Sequence, residues 1–142
     1  MNLTIISPGK KLPTGLNNLF EDYVIRLSRF NVRLSLICPA SNQKPSEFIK
    51  QVEKLKKPQT KLIVLDQRGH QFSSTQLAGY VDKIKLDASE IIIVIGDSYG
   101  TPAEIIKMAD VVLSLGPLTL PHQIVRIITA EQIYRAFTIN AG

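Results

Sequence analysis

Residues Ile91-Ile92-Ile93-Val94-Ile95 are five β-branched side chains in succession, with no polar residue among them to face water. Such a run predicts a strand buried on both faces, the mark of a parallel sheet covered by helices above and below. The rest of the chain alternates to match. Apolar runs at 2–7, 32–38, 62–65 and 111–115 read as four further strands. Between them, Leu16, Leu19, Phe20, Tyr23, Val24 and Leu27 recur at helical spacing. Phe48, Val52 and Leu55 mark a second helix stopped by Pro58, and Leu77, Val81 and Ile84 a third that Ser73 or Ser74 can cap. Short and long helices follow at 103–109 and 123–137. Polar loops are expected at 66–70, 96–102 and 116–121. The expected architecture is α/β, a mainly parallel sheet of five to six strands with helices on both faces, in one domain spanning residues 1–142.

The last helix is apolar around most of its circumference: Ile124, Val125, Ile127, Ile128, Ala130, Ile133, Ala136 and Phe137 leave no single wet face. A helix of that kind is buried on more than one side, which predicts a homodimer through this region.

Composition narrows the function classes. No apolar run approaches the roughly 20 residues of a membrane span, and the N-terminus lacks a basic flank and cleavage site, so a cytoplasmic protein without membrane attachment is expected. The single cysteine, Cys38, has no internal partner and reads as a small buried hydrophobe. The net charge of +5 is lopsided: residues 1–60 carry ten Lys or Arg against four Asp or Glu, and residues 61–142 carry seven against eight. A basic half suits a polyanion, although composition alone favours a solvated lysine-rich helix end.

Several motifs are absent. Gly96-Asp97-Ser98-Tyr99-Gly100 is not the dinucleotide fingerprint, and there is no phosphate-binding GxxxxGK[ST] or GxSxG nucleophile elbow. His70 and His122 lack companion ligands, so no metal site is expected. What remains are three loops leaving strand ends, after Leu65, Ile95 and Leu115, where parallel sheets bind ligands. Gly96 and Gly100 allow close backbone approach. The 116–122 loop brings unpaired amides to a helix start, suited to an adenine or a carboxylate. His122 and Arg126 lie four apart, on one helical face, as do Glu131 and Arg135, for which an internal ion pair is expected.

The segment Leu113-Ser114-Leu115-Gly116-Pro117-Leu118-Thr119-Leu120-Pro121-His122-Gln123-Ile124-Val125-Arg126, with Ala130-Glu131-Gln132-Ile133-Tyr134-Arg135-Ala136-Phe137, closely resembles the RlmH family. Leu65-Asp66-Gln67-Arg68-Gly69 and Val94-Ile95-Gly96 match it too. Members are SPOUT-superfamily enzymes that methylate N(3) of a pseudouridine in helix 69 of 23S ribosomal RNA. The resemblance implies a C-terminal trefoil knot, a homodimer, and S-adenosylmethionine held by Leu65, Gly96, Leu115, Gly116, Pro117, Leu118, Thr119 and Leu120. It further implies large-subunit ribosomal RNA as the partner, within the assembled ribosome, with His122, Arg126 and Arg135 as the candidates for handling it. The chain departs from the family pattern at Asp97, where a second glycine is usual, and at Asn140-Ala141-Gly142, where members continue into a tail bearing a tyrosine and a histidine. Two expectations therefore stand: an active rRNA methyltransferase, or a catalytically impaired SPOUT dimer that binds RNA or cofactor without turnover. A flavodoxin-like small-molecule binder fits the alternation of elements but leaves the Thr119–Gln123 block without a role.

Overall fold

The computed structural model describes residues 1–97 and 99–142; Ser98, within the loop expected at 96–102, lies outside the described residues. Five strands and five helices alternate: β1 (Asn2–Ile6), α1 (Thr14–Ser28), β2 (Arg33–Ile37), α2 (Pro45–Leu55), β3 (Thr60–Gln71), α3 (Ser74–Ile84), β4 (Glu90–Ile95), α4 (Ala103–Met108), β5 (Val111–Ser114) and α5 (His122–Ala141). The strands form one sheet in the order β2-β1-β4-β3-β5, and every pairing within it is parallel.

The isoleucine run is central to this arrangement. β4 lies between β1 and β3, with Ile93 in register with Ile5 on one side and Ile63 on the other. Because side chains alternate along a strand, Ile91, Ile93 and Ile95 point to one face and Ile92 and Val94 to the other. The first three join Phe20 and Leu27 of α1, Val81 of α3, and Ile133 and Phe137 of α5. Ile92 and Val94 meet Phe48 and Val52 of α2 and Ile105 of α4. Three helices thus cover one face and two the other. Each of these buried aliphatic side chains contributes roughly 1.5–3 kcal/mol of transfer free energy. Across the first face, Tyr134 packs between Tyr23 and Phe30, with ring centroids 5.9 and 6.3 Å away.

Two expectations need correction. Residues 66–70 do not leave the sheet as a plain turn. β3 runs on to Gln71 and makes an excursion, with Leu65 and His70 both opposite Leu113 of β5. Gly69 permits this, because a Cβ there would lie 2.5 Å from the Val112 carbonyl oxygen. A polar stretch hides this continuation because strand signals rest on apolar side chains, whereas the pairing uses the backbone. Cys38 is only half-buried rather than part of the core. The expected helix cap is confirmed at Ser73. Its hydroxyl accepts from Gln76 N, while the Gln76 side chain accepts from Ser73 N, a reciprocal capping box.

Candidate functional site

The excursion of β3 at Leu65–Arg68 and the loops after β4 and β5 converge near the carboxyl ends of the central strands, where they meet the start of α5. They enclose a cleft of about 720 Å³, within the range of small-molecule sites. Of the eight residues proposed to hold a cofactor, Leu65, Gly96, Leu115, Gly116, Leu118, Thr119 and Leu120 line this cleft, and Pro117 does not. Pro117 is exposed on the outside of the same loop.

Each wall has a local cause. After Leu65, Asp66 fastens the chain to itself: its Oδ1 accepts from Arg68 N and Nε at 2.9 Å, and its Oδ2 from Arg68 Nη2 at 3.1 Å. The guanidinium hydrogen bond holds the Asp66 carboxyl below the usual carboxylate range and pushes Arg68 up. From this loop, Gln67 Nε2 reaches the Leu118 carbonyl at 3.5 Å, a long contact bridging two walls.

At the end of β4, a Cβ on Gly96 would lie 2.6 Å from Thr101 Oγ1 and 2.8 Å from Gly100 C, so only glycine lets the strand end pass under that turn. Asp97, the departure from the family pattern, spends its carboxylate locally: Oδ1 accepts from Tyr99 N at 2.8 Å. Beside this turn, the Thr101 hydroxyl is buried without a hydrogen-bond partner. After β5, the Ser114 hydroxyl accepts from Gly116 N at 3.0 Å and shapes the last loop.

Of the three candidates for handling RNA, the structure brings only His122 to the cleft. It is the first residue of α5, whose N-cap, Pro121, offers no side-chain acceptor to the free amides of the first turn. Arg126 goes elsewhere. It is 1% exposed and donates to Ser7 Oγ at 2.8 Å, Lys10 O at 2.6 Å, Ser7 O at 3.1 Å and Pro8 O at 3.2 Å. It cannot point at the same partner as His122, because α5 presents it to the β1–α1 loop, whose carbonyls consume its donors. Helical spacing alone carries no sign of this, since a charged residue is ordinarily read as solvent-facing. Arg135 forms the expected ion pair, its Nη2 2.9 Å from Glu131 Oε1, which raises its already high pKa. It lies more than three turns along α5 from His122. Thr101 was missed by sequence reasoning, as were Gln67 and Val125, which also line the cleft. Thr101 follows one of the glycines that mark the loop, but nothing in the sequence tells that its hydroxyl is orphaned.

Among the described residues no group of three or more His, Cys, Asp or Glu is placed to hold a metal ion. Among the described residues no helix is long and apolar enough to cross a membrane.

Comparison with known proteins identifies the lineage. A family model described as "Predicted SPOUT methyltransferase" matches residues 1–142. The chain belongs to the SPOUT methyltransferase family. Among curated SPOUT relatives, "Ribosomal RNA large subunit methyltransferase H" of Laribacter hongkongensis is 36% identical, over 100% of this chain and 96% of that protein. The protein of the same name from Clostridium novyi is 37% identical, over 100% and 97%. The resemblance carried by the 113–137 segment therefore holds along the whole chain. Among solved structures, the SpoU methyltransferase AviRb from Streptomyces viridochromogenes, in complex with AdoMet, aligns at a TM-score of 0.49 and 8% identity, over 100% of this chain and 61% of that chain.

Proposed function

We propose that this SPOUT protein is an S-adenosylmethionine-dependent methyltransferase of large-subunit ribosomal RNA, acting in the cytoplasm on N(3) of a pseudouridine in helix 69. One observation carries the reading: seven residues from the β3 excursion and the loops after β4 and β5, assigned to a cofactor by resemblance, line one cleft of suitable size. The names of the full-length relatives point the same way.

The cleft fits the cofactor chemically. Leu65, Ile95, Leu115 and Leu118 offer apolar walls to a purine, and backbone amides at the start of α5 suit polar or anionic groups. When bound, the cofactor supplies an electrophilic methyl group on a sulfonium centre. The protein's part is to fix geometry: the three loops hold the donor in one orientation, so transfer depends on alignment with the target nitrogen. His122, at the cleft and on the first turn of α5, is placed to meet the incoming base where its imide proton must be lost. Arg135, exposed beyond its ion pair, remains the candidate for phosphate.

A homodimer accords with the surface. Leu118 is 75% exposed and Leu115 44% exposed at the cleft rim, and Ile124 and Ile139 are exposed on α5. Exposed apolar residues at the cleft rim and along α5 are expected to be covered by a ligand or a second copy. The trefoil knot of the resemblance is part of the same proposal. It accords with the close packing of the β3 excursion, at Gly69, on the chain just before the last loop.

Calorimetric titration with S-adenosylmethionine, with the mass of the assembly measured in the same buffer, tests the cofactor and dimer together. Transfer of labelled methyl to ribosomes lacking the modification then tests the substrate. Saturable binding by a dimer and one methyl mapped to the helix 69 pseudouridine are expected. A folded protein that does not bind the cofactor refutes the proposal. Binding without transfer to any ribosomal particle supports the impaired dimer instead. Asp97 does not favour that second reading, because its carboxylate is engaged within its own turn.

A further inference from the structure

The first turns of α5 face two ways. His122 and Val125 line the cofactor cleft, whereas Arg126, the next residue, is buried against the β1–α1 loop. There it takes the carbonyls of Ser7, Pro8 and Lys10 and the Ser7 hydroxyl. The same loop is tied to the one after β2: Ser7 N donates to Ile37 O at 2.9 Å, and Gly9 N to Pro39 O at 2.8 Å. Burying a guanidinium is costly, and a loop that only reverses the chain does not need one. What this loop presents to solvent is Lys10 and Lys11, both exposed. Neither they nor Lys44, which closes the neighbouring loop, pairs with a carboxylate among the described residues. No acidic residue occurs at positions 1–20 or 34–46.

The sheet order β2-β1-β4-β3-β5 sets these pieces in a row along the carboxyl edge: the Lys44 loop, the Lys10–Lys11 loop, then the cleft. A hollow of about 490 Å³, walled by Pro8, Asn42, Pro45 and Phe48, shares Asp97 and Gly100 with the cleft. Glu104 lines it from α4, so phosphates are favoured on the side of the two loops.

We propose that the β1–α1 and β2–α2 loops form the RNA-docking platform of this protein, with Lys10, Lys11 and Lys44 each meeting a backbone phosphate and Arg126 the positioning residue that holds them. The inference rests on the ribosomal RNA reading above and deepens it, naming where the strand lies as its target base enters the cleft. Cations spread along two adjoining loops match the repeated charge of a strand, and phosphate contacts of this kind fix its register. A platform held in advance spares the cost of ordering the loop on binding.

The test is fluorescence anisotropy with a labelled single-stranded RNA, repeated between about 50 and 200 mM salt. Lys10→Ala/Lys11→Ala keeps every backbone contact of the loop and should melt with the wild type. It should bind RNA about ten-fold more weakly, with the slope of log K against log salt smaller by about 1.4, two phosphates' worth. Lys44→Ala should lose about 0.7 of slope. Lys54→Ala/Lys57→Ala removes equal charge from the end of α2, at the opposite edge of the sheet, and should bind within about two-fold of the wild type. Affinity for S-adenosylmethionine, by calorimetry, should be unchanged in all three. Arg126→Lys, measured where circular dichroism shows it fully folded, should also lose slope, which a purely structural role would not move. An unaltered slope there removes Arg126 as the positioning residue. Equal losses in the two double variants, no loss in Lys10→Ala/Lys11→Ala, or a wild type that binds no RNA overturns the platform. A wild type that binds RNA through these lysines yet transfers no methyl is a different result: it removes the activity reading and leaves the platform standing.

Discussion

Replacing Arg126 tests the placement that departs most from sequence expectation. Its guanidinium is buried and makes four hydrogen bonds of 2.6–3.2 Å to Ser7, Pro8 and Lys10. Arg126→Ala strips a donor from three carbonyls and one hydroxyl at once. Each acceptor left buried and unpaired costs about 1–3 kcal/mol, but water entering the vacated space and the relief of a desolvated cation return part of that. The net loss is expected at about 3–5 kcal/mol, in the range of other broken buried charge networks. For a chain of this size that corresponds to a fall in Tm of roughly 10–20 °C. Arg126→Lys retains the charge but cannot span four acceptors, and should lose about half as much. Urea unfolding followed by circular dichroism gives the free energies directly, and an unchanged m value would show that the same surface is exposed. A loss below about 1 kcal/mol in Arg126→Ala would refute the anchoring role. A loss of RNA affinity at unaltered stability would return Arg126 to the surface role that helical spacing suggests.

Three further outcomes are expected. Gly69→Ala places a Cβ against the Val112 carbonyl and should destabilise the protein by about 2–4 kcal/mol in the same urea assay, as β3 is forced away from β5. Ser73→Ala removes the capping box of α3 and should cost about 1 kcal/mol, readable as a small downward shift in Tm. The pKa of Asp66 lies below its ordinary value of 3.8. The stabilisation it provides is therefore fully present above that value and is lost as pH falls through the lower, folded-state value. A carbon-detected NMR titration should show the Asp66 midpoint rising towards 3.8 in Arg68→Ala, and an unmoved midpoint would remove Arg68 as the cause.

The layers of this fold were legible because they depend on side-chain chemistry that repeats. The Ile91–Ile95 run marked the strand covered on both faces, and the helical spacing of Leu77, Val81 and Ile84 marked the face that α3 buries. Pairings carried by the backbone left no such trace. The continuation of β3 through Asp66–Gln71 rests on main-chain partners on β5 and on the small size of Gly69. The site was legible to the extent that strand-end loops must converge in a parallel sheet, which brought Leu65, Gly96 and Leu115 together. Arg126 was misread because its acceptors, three carbonyls and one hydroxyl, lie 116–119 residues away, and no local pattern announces a carbonyl. Thr101 was passed over because being unpartnered is a property of its surroundings.

The reach of Arg126 also orders events in time. Residues 7–10 are among the first to be synthesised, yet they have no fastening on that side until position 126 exists and α5 has docked. Domains tend to fold as their segments become available, and contacts between distant segments form late. The amides of Ser7 and Gly9 can reach the carbonyls of Ile37 and Pro39 once β2 has formed, so the arrival of Arg126 completes a loop that is already half fastened.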